Sequence, residues 1–322
     1  MSLVLAAGTQ TGLLVFSGSQ SPDTWKIIGQ TLTGKAVTCS TIDAEGRLYV
    51  GSAGVGVHVT RDLESWSIRS EGLSSVHITA LACDPLIPEL VYCATLPAQL
   101  HVGNAKSSKF EKVTALRKVP SSDRWSSPTA PYQPTIRRIY PHPGRQGLVL
   151  LGVQVGGLYL TSDGGQSWQD RNQGLPTDLR DFQIHPDQPA RIYAGTRVGF
   201  YRSDDLGVNW TEYSKGLTSG ECHQIAVAAE APNAVFCIVH RNSVGGPYLF
   251  RSADGGEHWS LCPGSLPYSA GLKFTAVTAA RGWLFLGTSD GNIYGSNNFG
   301  ETWQLYKTKL SAIHSLEVVY QN

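Results

Sequence analysis

Apolar residues in this chain come in short runs broken by Gly, Pro, Asn or Asp. The segment 179–216 shows the pattern cleanly: LRDFQIHP, then ARIYAGT, then GFYRSD, a turn, and NWTEYSKGL. Each run is rich in aromatic and β-branched residues and too short for a helix, so it predicts a strand. Four successive strands joined by tight turns make one small antiparallel sheet. The opening segment LVLAAGTQTGLLVFSGS reads as two more strands around a Gly/Gln break. It lacks a basic leading region, so a strand pair is expected there, not a signal peptide. No apolar stretch approaches the ~20 residues that a membrane-spanning helix needs.

The four-strand unit repeats. TSDGGQSW at 161–168, SDDLGVNW at 203–210, SADGGEHW at 252–259 and SNNFGETW at 296–303 fit one template, Ser/Thr-x-Asp-x-Gly-x-(Ser/Thr)-Trp. Asn298 replaces Asp in the last copy, and Asn209 or His258 takes the seventh position. Shorter relics are TRDLESW (60–66), SPDTW (21–25) and SSKF (107–110). The aromatic ends are Trp25, Trp66, Phe110, Trp168, Trp210, Trp259 and Trp303. That makes seven units, most of them spaced at the period of one four-stranded blade.

The template resembles the Asp-box (BNR repeat) of the sialidase, sortilin and photosystem-assembly-factor propellers. The resemblance covers essentially the whole chain and implies an all-β, seven-bladed β-propeller with four-stranded blades. It also implies that the boxes lie on the outer rim, away from any pocket. There Ser/Thr and Asp hydrogen-bond the turn backbone, Gly takes positive φ, and Trp packs between blades. The last segment, IHSLEVVYQN (313–322), looks like an inner strand without a blade of its own. The first segment looks like a blade without an inner strand. The N- and C-terminal strands are therefore expected to pair and close the ring, leaving no free edge. The whole chain, 1–322, is read as a single propeller domain.

A site would lie at the mouth of the central channel, where loops between blades converge. Aligned inner strands begin at VTCSTI (37–42), ITALAC (78–83), IRRIYP (136–141), LRDFQI (179–184), CHQIAV (222–227), FTAVTA (274–279) and IHSLEV (313–318). The fourth column is apolar, Ser40 excepted, and belongs to packing. The second is wholly polar: Thr38, Thr79, Arg137, Arg180, His223, Thr275 and His314. The third and fifth add Arg138, Asp181, Gln224, Ser315, Tyr140, Gln183 and Glu317. Such side chains do not collect at one register in buried strands unless they face water or each other. Arg137, Arg138 and Arg180 lie on consecutive strands, with Asp181 the one evident counter-charge. They suit an anionic ligand held by bidentate hydrogen bonds. His223, His314, Tyr140, Asp181 and Glu317 are the candidate catalytic groups. Loops between second and third strands add Gln10, Gln154, Arg197, His240, Arg241 and Asp290.

One interval is longer than its neighbours, from Phe110 to Trp168. Its extra chain, about 114–134 (TALRKVPSSDRWSSPTAPYQP), carries Arg117, Lys118, Arg124, Trp125 and Tyr132. Long loops in compact folds tend to be functional. This one enters the strand of Arg137, so a lid or side wall over the mouth is expected, with Trp125 touching ligand.

Composition narrows the function. Net charge is +1 and charged residues make up 16%, so no global field would attract nucleic acid or an anionic membrane. None of the six cysteines forms a CxxC pair, and most lie in apolar runs, which suits free thiols in a cytoplasmic protein. No HxH or HExxH spacing suggests a metal, and no cofactor is expected. Among the class that the resemblance names, the sialidase motif Arg-Ile-Pro is missing (the nearest text is RRIYP at 137–141) and the blade number differs. Paired carboxylates would suit glycoside hydrolysis, whereas Tyr or His with arginines would suit β-elimination. Two readings stand. One is a monomeric propeller binding a small anionic or carbohydrate-like ligand at the channel mouth, as a hydrolase- or lyase-like enzyme. The other is a scaffold or assembly factor that binds a protein partner.

Overall fold

The computed structural model describes residues 3–104, 107, 109–130, 132–218, 220–240 and 246–319. They form seven four-stranded antiparallel sheets, whose first strands touch one another in sequence around a ring. Blades 1 to 6 have inner strands Val37–Ile42, Ile78–Cys83, Ile136–Pro141, Leu179–Ile184, Glu221–Ala228 and Phe274–Ala280. Blade 7 is built from both ends of the chain. Ile313–Val319 is its inner strand and pairs with Leu3–Thr9, followed by Gly12–Gly18 and Lys26–Thr31. The seven-bladed architecture and its closure are those expected from the repeat.

Middle strands such as Val149–Val153 and Ile192–Thr196 are buried on both faces. That is why their sequences run apolar without alternation. The core is divided accordingly, with one apolar cluster between each pair of adjacent blades. The box tryptophans belong to these clusters: the Trp259 ring meets Phe200 of the preceding blade edge-on at 4.7 Å. In the first full box, Thr161 Oγ1 accepts from Gly165 N–H at 2.9 Å and donates to Asp163 Oδ1 at 2.7 Å. Asp163 in turn accepts from Ser167 N–H and hydroxyl. Those bonds, the Ser167 hydroxyl foremost, hold its carboxyl well below the usual carboxylate range. The turn needs φ +95° at Gly165, which glycine adopts without strain. The same bonds recur at Ser203, Ser252 and Ser296.

The insertion differs from expectation. It folds as two short 3-10 helices, Thr114–Lys118 and Pro120–Arg124. Leu116, Val119 and Trp125 sink into the cluster between blades 2 and 3, beside Ile136 and Val153. Trp125 is buried, stacks edge-on against Tyr159 at 5.0 Å and donates its indole N–H to that phenol at 2.6 Å. Arg117 lies over its ring. The first half of the segment is thus packed between blades, and Trp125 serves the core and not a ligand. Burying an indole is worth more than exposing it at a mouth.

Candidate functional site

All seven inner strands share one irregularity, a bulge at the second column. Ile136 pairs with Val153 and Arg138 with Gly152, so Arg137 has no partner in the ladder. The same skip leaves out Arg180, His223, Thr275, Thr38 and Thr79, and His314 between Ile313 and Ser315. A bulge bends its strand and re-aims side chains, so strict alternation of faces fails here. Second and third columns both reach the channel. Third-column partners are often glycine because the next blade presses close: a Cβ on Gly195 would lie 2.5 Å from the Cys222 carbonyl oxygen.

The channel holds two adjoining chambers, called upper and lower, that share Thr38, Thr79, Arg137, Arg138, Gln224 and His314. The upper, about 420 Å³, is lined by Thr38, Thr79, Arg137, Arg138, Arg180, Asp181, His223, Thr275 and His314, with His77, Leu96 and Thr135 at its rim. The lower, about 320 Å³, adds Cys39, Ser40, Gln183, Ser315 and Glu317.

Many of these side chains turn out to stitch blades together. An innermost strand leaves backbone groups unpaired on its channel edge, and those groups must find partners. Asp181 Oδ2 accepts from Ile225 N–H at 3.0 Å, and Gln224 Oε1 from Val277 N–H at 2.7 Å. Thr38 Oγ1 donates to the Ile78 carbonyl at 2.7 Å, and His314 Nδ1 to the Val37 carbonyl at 3.2 Å. Arg138 grips Asp181 with two bonds, at 2.5 and 3.1 Å, and Phe182 N–H also reaches that carboxylate. Asp181 is therefore saturated, held as a structural counter-ion.

The three arginines do not form the unpaired triad that the strand order suggested. Arg180 is nearly buried, 3.2 Å from Glu221 and 3.4 Å from Asp178, while Arg197 approaches Glu221 at 3.7 Å from an exposed position. Asp178 and Glu221 lie just outside the aligned columns, which is why they were missed as counter-charges. Arg137 is the exception. Among the described residues it has neither ion pair nor hydrogen bond, and its side chain projects into the channel. Burial and the adjacent Arg180 charge lower its pKa, although a guanidinium stays protonated.

His223 stays neutral: burial first, then His240 and the charges of Arg137, Arg180 and Lys273, push its pKa down to about 3. Its ring lies 4.6 Å from that of His240. His240 donates Nε2–H to the Phe274 carbonyl at 2.9 Å. Glu317 faces the lower chamber without a hydrogen-bond partner among the described residues, and burial raises its carboxyl to about 7 against the opposing pull of Arg138. Tyr140 lines neither chamber; its ring leans on Phe182 at 6.5 Å. Arg241 lies outside the described residues. The described residues contain no group of three or more His, Cys, Asp or Glu able to hold a metal ion.

No family model matches the chain. It is similar to a xyloglucanase of Paenibacillus sp, 26% identical over 238 residues, covering 71% of this chain and 20% of that protein. A second similarity is to a xyloglucanase of Hypocrea jecorina (strain QM6a), 25% identical over 140 residues, or 42% and 16%. The chain thus spans a fifth or less of these curated relatives. Among solved structures, a GH74 xyloglucanase from Xanthomonas campestris superposes with TM-score 0.64 at 17% identity, covering 84% of this chain and 45% of that one. YCF48 bound to a D1 peptide superposes with TM-score 0.60 at 17% identity, covering 84% and 81%. At such identities the superpositions establish the fold alone.

Proposed function

We propose that this chain is a binding propeller whose upper channel chamber takes a small anion on Arg137. The observation that carries this reading is a cation facing the channel with no ion pair or hydrogen bond among the described residues, beside two arginines, Arg138 and Arg180, that are both paired. Arg137 stands open to the solvent of the channel, and an anion can replace that water and engage its guanidinium through two parallel hydrogen bonds. A chamber of about 420 Å³ falls within the ordinary range for small-molecule sites.

Catalysis is less well supported. Glycoside hydrolysis needs two carboxyl groups facing one substrate. Asp181 is saturated by Arg138 and backbone N–H groups, and Glu317 faces the lower chamber. A base for β-elimination is also weakly provided, since Tyr140 packs away from the chambers and His223 is a poor base. The xyloglucanases extend far beyond the matched region, so xyloglucan cleavage does not carry over to this chain. A second reading, a scaffold for a protein partner, draws on the likeness to peptide-bound YCF48, which covers most of both chains. Six free cysteines, with burial raising Cys39, Cys83 and Cys262 to about 12, suit a reducing compartment such as the cytoplasm.

Calorimetric titration of acetate, phosphate and sulfate into wild type and Arg137→Ala tests the proposal. Loss of Arg137 should weaken anion binding by ~1.5–3 kcal/mol, the range for a hydrogen bond to a charged group, with little change in melting temperature. Arg180→Ala should lower the melting temperature instead, because it orphans Asp178 and leaves Glu221 with only the exposed Arg197. A wild type that binds none of these anions defeats the reading and leaves the scaffold.

A further inference from the structure

The upper chamber has two chemically different walls. On the blade 3 side, Arg137 offers only donors. On the opposite side, blades 6, 7 and 1 follow one another and present Thr275, His314 and Thr38. Each of these three already donates to a carbonyl: Thr275 Oγ1 to Gly287 at 3.2 Å, His314 Nδ1 to Val37 at 3.2 Å and Thr38 Oγ1 to Ile78 at 2.7 Å. A hydroxyl whose hydrogen is engaged has only lone pairs left to offer, and a neutral imidazole protonated at Nδ1 has a bare Nε2. That wall is therefore a row of acceptors. Between the walls, Thr79 Oγ1 is buried without any partner among the described residues.

From this polarity, and resting on the anion reading above, we infer that the ligand is a hydroxylated carboxylate of the aldonic- or uronic-acid class. Its carboxylate meets Arg137 and its hydroxyls donate to Thr275, His314 and Thr38. A neutral sugar would satisfy the acceptors and leave Arg137 unmatched. A plain carboxylate would do the reverse. An ammonium could also donate to the acceptor wall, but it would be stripped of water beside neutral groups. Among the described residues the one carboxylate of the upper chamber, Asp181, is held by Arg138, and Asp178 and Glu221 are held by Arg180; Glu317 lines only the lower chamber, which Thr38, His314 and Arg137 also border. Lys273 and Arg180 add further positive charge near His223. Burying a hydroxyl against an acceptor costs far less than burying an unpaired cation.

The test is a matched series of probes: propionate, 3-hydroxypropionate and β-alanine, with D-gluconate and D-glucose added. They are titrated by calorimetry into wild type, Thr275→Val, Thr38→Val and Arg137→Gln, after melts confirm that each variant is folded. Gluconate should bind wild type at least tenfold tighter than propionate, 3-hydroxypropionate should fall between them, and glucose and β-alanine should bind least. Either threonine variant should narrow the gap between gluconate and propionate several-fold while leaving propionate unchanged, and Arg137→Gln should weaken every acid. If propionate binds wild type as tightly as gluconate, if β-alanine surpasses 3-hydroxypropionate, or if neither threonine variant narrows the gap, the hydroxy-acid inference is wrong and the anion site survives. If no acid binds wild type, both fall together.

Discussion

Arg137 and Arg138 are adjacent in the chain and opposite in role. Arg138 is tied to Asp181, and through it to the backbone of the next blade, whereas Arg137 projects into the chamber unmatched. Removing one partner of a buried pair costs ~3–5 kcal/mol because it strands the other charge. The Arg138 side chain stays partly exposed, so Asp181→Ala should sit at the low end of that range in urea unfolding. Glu317 gives a pH signature. Its carboxyl is raised to about 7 in the fold from an ordinary value near 4.5, so between those values the folded state holds more protons than the unfolded. Its contribution to stability is therefore lost as pH rises through that window. Buried histidines with lowered pKa, such as His223 and His240, pull the other way below neutrality, so the difference between wild type and Glu317→Gln isolates the effect. That difference should favour the variant increasingly from about pH 4.5 to 7. A flat difference would mean that the carboxyl is better solvated than its surroundings imply. The polar ring itself was legible in the sequence, because a register of one residue per blade survives in the alignment. Its pairing was not, since Asp178 and Glu221 lie off the register and a bulge leaves no mark in composition.

The box turns and the insertion separate packing from site at the level of whole elements. Thr161 Oγ1 is the acceptor for the buried Gly165 N–H. Thr161→Val should cost about 1–3 kcal/mol, the penalty for an orphaned buried donor, and leave anion affinity unchanged. Reduced affinity at unaltered stability would place the site on the rim. Trp125→Ala should cost ~3–5 kcal/mol, as large-to-small changes of a buried aromatic do, again without touching binding. The boxes could be read at sight because their Ser/Thr, Asp and Gly each answer a specific need of the turn. Trp125 was misjudged because an aromatic in a long Pro/Ser-rich loop looks like a contact residue. What it packs against, Tyr159 and Val153, lies far along the chain.

Closure by both termini makes the molecule one mechanical ring. Inner strand Ile313–Val319 fills the seventh place and also supplies His314 to the acceptor wall. Deleting 313–322 should open a sheet edge and give aggregates on size exclusion; a truncated protein that stays monomeric and melts normally would show that the ring holds without its clasp. Repeat period and terminal half-blades made this architecture readable before any coordinates. The channel's polarity needed the bulges and carbonyl contacts that only the folded ring displays. The most direct observation on the anion site is an anomalous difference map from crystals soaked in 3-bromopropionate. The account requires a bromine peak inside the upper chamber, with carboxylate density against Arg137, that disappears in Arg137→Ala crystals. Bromine bound only on the rim, or an empty chamber in the wild type, would contradict it.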